Sequence, residues 1–400
     1  MANQTLAKYV NELSILTMLR NRGVASRADI ARRLSLTPAT ITRLINRLVE
    51  RGLVKEAEAA QTRGPKELGR PSVGLAIDAE GAYFLGVEIA VGAVRFALID
   101  LAAMVVTSTE TAIVPPHTPQ SAVKAISSYY KDILRDDRYK KKILGVGVTL
   151  PALVARDGIV INFPAAGWND VQFADLLYRA IKVPCYIEND AHAAAFGEVY
   201  TQPAISSICT LYLWLGTGVG GAAIINNRLF RGAHGTAGLL GHVKVKTNGQ
   251  RCSCGNNGCL ESCTNLSALA RSYYGSDKIP DGDLGSLPEH VATRAAAGEP
   301  AAQQAVAEME SCLTIGLTSI VSAFNPSVII LGGPMLPIFR HRAEALKAAI
   351  ASGILLGVTA PEIRMSHLGN LDCAIGAATI AHHNSFDLSR VTLLEPELHP

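Results

Sequence analysis

The 400-residue sequence predicts an α/β chain in which a small helical head precedes a larger body. Three observations predict it. First, from Val73 onward, apolar runs of strand length (84–89, 94–99, 143–150, 208–215, 328–331) alternate with helix-length stretches (122–134, 171–181, 191–199, 301–323, 340–351). That alternation is the pattern of strands covered by helices. Second, residues up to about 60 show helical periodicity alone, and 61–72, rich in Gly, Pro and charge, reads as a turn or linker. Third, the charge is divided. Residues 1–72 carry 13 Lys+Arg against 6 Asp+Glu, a net charge of +7, and the remainder carries −4. A basic head on an acidic body points to a polyanionic partner, although a merely well-solvated face has the same charge. The length suits two or three domains. With 48% hydrophobic and 18% charged residues the composition is that of a folded chain, not a disordered one. Met1 to Arg20 holds no long apolar core of a signal peptide, and no run approaches 18 uninterrupted apolar residues. The expectation is a cytoplasmic protein with no membrane partner.

Three short helices are expected in the head. The first runs from about residue 10 to 22, with Leu13, Leu16 and Leu19 inward, and stops at Gly23. Ser26 is placed to cap the second, with Asp29 completing a capping box, and this helix ends near Leu34. Thr37 is placed to cap the third, with Pro38 at its first position, where a missing N–H costs nothing. Ile41, Leu44, Ile45 and Leu48 fall on one buried face. Ala39, Thr40, Thr42, Arg43, Asn46 and Arg47 are left facing outward. Short side chains near the N-terminus allow approach to base edges in a major groove, and arginines further on reach phosphate or guanine. After Arg51-Gly52-Leu53-Val54 the chain turns into a wing. The order is that of a winged helix-turn-helix whose partner is double-stranded DNA; a protein-interaction bundle is the alternative. Arg70, in a narrow Gly-Arg-Pro segment, is a candidate for an A·T-rich minor groove or else an ordinary linker arginine.

Gly241-His242 is followed by Cys252, Cys254 and Cys259. One histidine and three cysteines are a full donor set for tetrahedral Zn²⁺, and Gly255 and Gly258 let the backbone fold around an ion. A closed four-ligand site is structural rather than catalytic. The alternative is four buried residues with no metal. Cys185, Cys209, Cys312 and Cys373 sit in apolar surroundings and read as small core residues.

Taken with the glycine-rich Leu215–Gly221 run, Gly332-Gly333 and the segment Ile187-Glu188-Asn189-Asp190-Ala191-His192, the body resembles the ROK family (repressor, open reading frame, kinase) from Val73 to about His383. With the head it resembles the family's sugar-repressor branch, which holds xylose and N-acetylglucosamine repressors. The resemblance implies a two-lobed, actin-like (ribonuclease H-like, sugar-kinase type) body with sugar and ATP meeting in the cleft, and assembly as a homodimer or tetramer. It divides the chain into a head and linker (1–72), a small lobe (73–198) and a large lobe with the zinc loop (199–400), the last helix returning to the small lobe. It implies sugar contacts from Asn189, Asp190, His242 and Glu261, with His242 also ligating zinc.

Several positions depart from the family pattern. Where ROK kinases carry Asp-x-Gly-Gly-Thr, this chain has Glu88-Ile89-Ala90-Val91-Gly92. A valine there resists positive φ, and its Cβ blocks approach to a phosphate. Phosphoryl transfer rests on positioning and charge, so kinase activity is not expected and Asp190 reads as a vestigial base. Leu239 stands in place of a Glu, Ala165 in place of an Asn, and Ala152 in place of a Gly. The lost polar groups imply a changed ligand, such as a pentose, deoxysugar or substituted sugar, or none. The combined expectation is a transcriptional regulator, a repressor of carbohydrate genes under sugar control. An active sugar kinase with a fused head and a ligand-independent DNA-binding regulator are the alternatives.

Overall fold

The computed structural model describes residues 2–57, 73–90, 92–112, 118–202, 207–276 and 285–386, with side chains from residue 8 onward except that of residue 9. Val91, the 61–72 segment and Arg70 lie outside the described residues. The head comprises α1 (Ala2–Arg22), β1 (Ala25–Ser26), α2 (Arg27–Leu34), α3 (Pro38–Glu50), β2 (Val54–Ala57) and β3 (Gly74–Ile77). The first helix begins eight residues earlier than expected, because residues 2–9 contain neither proline nor glycine to stop it. Both expected caps form. The Asp29 N–H donates to Ser26 Oγ at 3.1 Å, and the Thr40 N–H to Thr37 Oγ1 at 3.3 Å. Leu13, Leu16, Leu19, Ile41, Leu44, Ile45 and Leu48 are all buried.

The expected boundary at residue 72 needs correction. The head's sheet has the order β1-β3-β2, with Ala25 opposite Leu75 and Val54 opposite Ile77. Its middle strand therefore comes from beyond the boundary, and 58–73 joins two strands that pair antiparallel. Leu75 is fully buried with the helices of the head, so residues 74–77 complete the head rather than begin the lobe.

The first lobe is built on β4 (Tyr83–Ala90), β5 (Ala93–Asp100), β6 (Val105–Ala112), β7 (Ile143–Leu150) and β11 (Cys185–Asn189), in the order β11-β7-β4-β5-β6. Between β7 and β11 a small sheet of β8 (Leu153–Val154), β9 (Val160–Phe163) and β10 (Trp168–Val171) projects. Helices α4 (Pro119–Ile133) and α5 (Phe173–Ile181) close the lobe's core around Val87, Phe96, Ile126 and Leu177. Helix α6 (Asp190–Thr201) leaves the end of β11 without a loop.

In the second lobe, β12 (Cys209–Leu215), β13 (Val219–Ile225), β14 (Arg228–Leu229), β15 (Val328–Gly332) and β16 (Glu362–Met365) run β14-β13-β12-β15-β16. They are covered by α7 (Leu260–Thr264), α8 (Leu266–Tyr274), α9 (Leu287–Ala296), α10 (Pro300–Phe324), α11 (Leu336–Phe339) and α12 (Ala343–Gly353). Among the described residues α10 alone is long and apolar enough to cross a membrane; its Met309, Leu313 and Leu317 are buried in this lobe's core.

The last helix, α13 (Asp372–Ser385), is buried almost throughout and packs on β4, β7 and α6. Glycines make the approach possible. A Cβ at Gly86 would strike the Ala374 carbonyl, one at Gly147 the Ala377 carbonyl, and one at Gly376 the Ala193 carbonyl of α6. Where α6 and α13 end, they meet the head. The Arg20 guanidinium of α1 lies 4.0 Å above the Tyr200 ring. The Tyr200 hydroxyl donates to His382 Nδ1 at 2.7 Å, and His382 Nε2–H donates to the Leu101 carbonyl at 2.9 Å. Phe84, Ile99, Leu101 and Ala378 of the body share one apolar cluster with Ile15, Leu19 and Ile45 of the head.

Burial pushes the His382 imidazole down to about 3. In the unfolded chain it titrates near 6.5, so at lower pH the unfolded state takes up a proton that the folded state refuses. Stability is full above about pH 6.5 and is lost as pH falls towards 3. Between pH 7.5 and 5.5 this site removes about 1.4 kcal/mol. Urea unfolding at the two pH values should show the loss, and His382→Gln should flatten it.

Candidate functional site

Three groups of functional side chains are brought together. The first is the exposed face of α3. Ala39, Thr42, Arg43 and Asn46 stand in solvent, as does the cap Thr37, and Thr40 is half-exposed. The Thr42 hydroxyl donates to the Pro38 carbonyl at 2.9 Å, which fixes its rotamer and leaves its lone pairs outward. Arg47 is a correction. It turns back onto α1, where buried Glu12 lies 3.1 Å from Arg47 and accepts a hydrogen bond from Arg51 at 3.0 Å. Burial raises the Glu12 carboxyl above its usual range against the pull of Arg51. Arg47 thus braces the head against a buried acid while its side chain stays 36% exposed.

The second group lines a small cleft between the lobes, with a cavity volume of about 40 Å³. The small-lobe side is Ala152, Leu153, Val154 and Asn189; the large-lobe side is Val219–Gly221 and Gly235–Leu239, with His192 of α6 at the base. Asn189 caps α6: its Oδ1 accepts the His192 N–H at 3.1 Å, and its Nδ2 donates to the Ala152 carbonyl at 3.1 Å. Asp190 follows as the first residue of α6, its Oδ1 accepting the Ala191 N–H at 2.7 Å, and burial raises its carboxyl above the usual range. His192 lies 3.1 Å from Glu188 Oε1 through Nδ1 and 2.7 Å from the Ala237 carbonyl through Nε2. Glu188 also pairs with Arg231. Burial alone would raise the Glu188 carboxyl, but the His192 hydrogen bond and Arg231 hold it below the usual range.

Glu88 lies on β4, at the start of the segment that departs from the kinase pattern. Its Oε1 accepts from Arg95 at 2.9 Å, and Arg95 Nε donates to Glu110 at 2.6 Å. Burial, opposed by Arg95, pushes Glu88 up to about 7. The pairing of β4 with β5 runs to Ala90 opposite Ala93.

The third group is the cysteine loop. One ligand atom each of His242, Cys252, Cys254 and Cys259 lies within 4.8 Å of the others. Cys252 Sγ is 3.6 Å from His242 Nδ1, and Cys254 Sγ is 3.7 Å from Cys259 Sγ. With Zn–S near 2.3 Å, a tetrahedron has an S···S edge of about 3.8 Å, so the donor set fits the ion in type and spacing. Gly255 and Gly258 both take positive φ, at +88° and +68°. His242 and Glu261 do not line the cleft. Glu261 Oε2 accepts the Val219 N–H at 3.0 Å, and Oε1 accepts the Ser253 hydroxyl at 2.7 Å. Glu261 therefore ties the cysteine loop to the strand that forms the cleft wall.

A MarR family profile matches residues 9–56, the described helices of the head. The ROK family profile matches residues 84–384. The chain belongs to the ROK family. The xylose repressor of Bacillus spizizenii is 27% identical over 98% of this chain and 99% of its own. A crystal structure of a ROK family transcriptional regulator, a homologue of the E. coli MLC protein, has a TM-score of 0.79 at 23% identity, covering 97% of this chain and 98% of that one. The ROK family glucokinase of Streptomyces griseus, solved with glucose and AMPPNP, has a TM-score of 0.63 at 26% identity, covering 76% of this chain and 100% of that one.

Within this ROK body, sequence reasoning missed Arg95, His192, Glu188 and Arg231. Nothing local marks Arg95 or Arg231 as the partner of a buried acid, since each contact is made across a sheet or between segments. His192 had a signal: it lies three residues after Asn189 at the start of a helix, and an N-terminal turn on a cleft edge presents such a side chain inward.

Proposed function

We propose that this chain is a sugar-responsive transcriptional repressor. The observation that carries the reading is the full-length match to a xylose repressor, joined to a head whose third helix offers Ala39, Thr42, Arg43 and Asn46 to solvent. In this reading α3 enters the major groove of operator DNA, with Thr37 and Thr40 near the backbone. Arg70 remains a candidate for the minor groove. Arg43→Ala should weaken binding by about 1–3 kcal/mol, roughly 5- to 150-fold. Arg47→Ala should instead lower the melting temperature, because it leaves Glu12 with one partner fewer. Fluorescence anisotropy against the protein's own upstream DNA at fixed salt, with and without each member of a sugar panel, tests the whole reading. DNA binding unaffected by every sugar would favour a ligand-independent regulator.

The effector reading places a sugar or sugar derivative in the cleft, where the Asn189 amide and the Asp190 carboxylate hold adjacent hydroxyls. His242 and Glu261 act behind the Val219 wall rather than on the sugar. His242, Cys252, Cys254 and Cys259 would hold a structural Zn²⁺, which when bound locks four ligands of one loop into a fixed tetrahedron. The loop's own contribution is to hold Glu261 against the Val219 N–H. A repressor of this kind works as a homodimer or tetramer in the cytoplasm, where its operator is.

The kinase alternative has the glucokinase likeness in its favour. Two features of this chain oppose it. The carboxylate that would face a metal–nucleotide is neutralised in cis by Arg95, and Ala90 and Val91 stand where the kinase pattern has its two glycines. Sugar-dependent ADP release above background, abolished by Asp190→Asn, would establish the kinase.

A further inference from the structure

We propose that the effector is a sugar carrying an apolar substituent, an aryl glycoside in the simplest case, rather than a free sugar. The inference rests on the sugar-cleft reading above and narrows it. It comes from counting what the cleft has left to offer. Two large apolar side chains stand at its opening from opposite lobes: Leu239, 51% exposed, and Leu153, 37% exposed. Val154, Ala152 and Ala237 extend the apolar wall behind them.

The polar groups of the cleft are mostly spent. Both ring nitrogens of His192 are engaged, by Glu188 and by the Ala237 carbonyl. The Asn189 amide uses its oxygen on the His192 N–H and one N–H on the Ala152 carbonyl. Behind the lining, the Glu261 carboxylate is taken by Val219 and Ser253 and offers the cleft nothing. What remains is the Thr236 hydroxyl on the lining and, next to the lining residue Asn189, the Asp190 carboxylate, which takes a hydrogen bond from the Asn189 side chain and keeps its other lone pairs. Those groups suffice for one or two hydroxyls along one edge of a sugar ring.

A free hexose or pentose presents hydroxyls all round. Those turned toward Leu153 and Leu239 would give up water without receiving a partner, and unpaired polar groups are strongly penalised. An apolar substituent on that side reverses the balance, because it covers two exposed leucines and leaves the hydroxylated edge to Thr236 and Asp190. Leu239 and Leu153 are thus assigned as specificity residues.

The test is calorimetry on the full chain with matched pairs: D-xylose, D-glucose and N-acetylglucosamine, each against its phenyl α- and β-glycosides. At least one phenyl glycoside should bind about 10-fold or more tightly than its parent sugar. In Leu239→Glu that advantage should fall to about 3-fold or less, since a carboxylate at the opening favours hydroxyls over a ring. Leu153→Ser, on the other lobe, should reduce it as well; melting curves confirm that both variants fold. Free sugars binding as tightly as every phenyl counterpart would overturn the inference and leave the sugar-cleft reading standing. A phenyl advantage that survives both substitutions would also overturn it, since the ring would then be bound elsewhere. If no compound of either kind binds, the sugar-cleft reading itself fails, and this inference with it.

Discussion

Cys259→Ser is expected to strip zinc from the protein and lower its melting temperature by about 5–10 °C. Structural zinc contributes roughly 10–16 kcal/mol to the folding of isolated finger peptides. Here the loop adjoins a folded lobe, so several kcal/mol is the scale, at about 2–4 °C each for a domain of this size. Only part of the loop's order comes from the donor set, since backbone bonds such as Gly258 N–H to the Gln250 carbonyl and the Ser253–Glu261 bond also hold it. Two isolated bridges, Lys244 to Cys259 and Arg251 to Asn257, add to these. Cys259 is fully buried and immediately precedes α7, which carries Glu261. Its loss should therefore also free the Val219 wall and weaken whatever the cleft binds. Metal content by mass spectrometry and thermal unfolding check the two effects separately. A variant that keeps its melting temperature, from a parent containing no zinc, would remove the metal from this account.

Gly147→Ala is expected to cost about 3 kcal/mol or more and to abolish soluble expression, while Gly145→Ala, two residues away in β7, should change stability by under about 1 kcal/mol. Both glycines lie on the face that α13 covers. At Gly147 the added carbon would collide with the Ala377 carbonyl, backbone that cannot yield without lifting the helix. At Gly145 the nearest atom is the Ser385 hydroxyl at 3.1 Å, the end of a short side chain near the helix terminus. Expression level and denaturant midpoints distinguish the two, and equal tolerance would mean that α13 does not sit so close to the sheet.

The parts of this molecule that could be read from sequence are those whose cause is local. Ser26 and Thr37 cap helices because each hydroxyl meets an N–H three residues on. The Cys252–Cys259 spacing brings three thiols together because two glycines allow the turn. What escaped was non-local. Position 47 counts as outward on a helical wheel, and only the arrival of buried Glu12 from α1 turns Arg47 inward. β3 follows a stretch that looks like a linker, and its membership of the head is decided by β1 and β2 on either side of it. The bond from the Val219 N–H to Glu261, made across 42 residues, likewise has no local sign in the sequence. Strand β6, exposed along its whole length, has no buried face and so leaves no apolar alternation to detect.

The head is fastened to the body at two separated points. Arg20 sits on Tyr200 at the end of α1, and β3 runs into β4 with only residues 78–82 between them, folded into a short turn at Ala79–Gly81. The Leu101 N–H closes onto the Ala79 carbonyl at 3.0 Å. A DNA-binding module on a loose tether searches the space its linker allows and tolerates variable site spacing. This attachment has no such slack. In an assembly of two chains the heads would act as the jaws of a fixed caliper, their span set by how the bodies are packed. Half-sites at the wrong separation would be lost whole rather than reached by stretching.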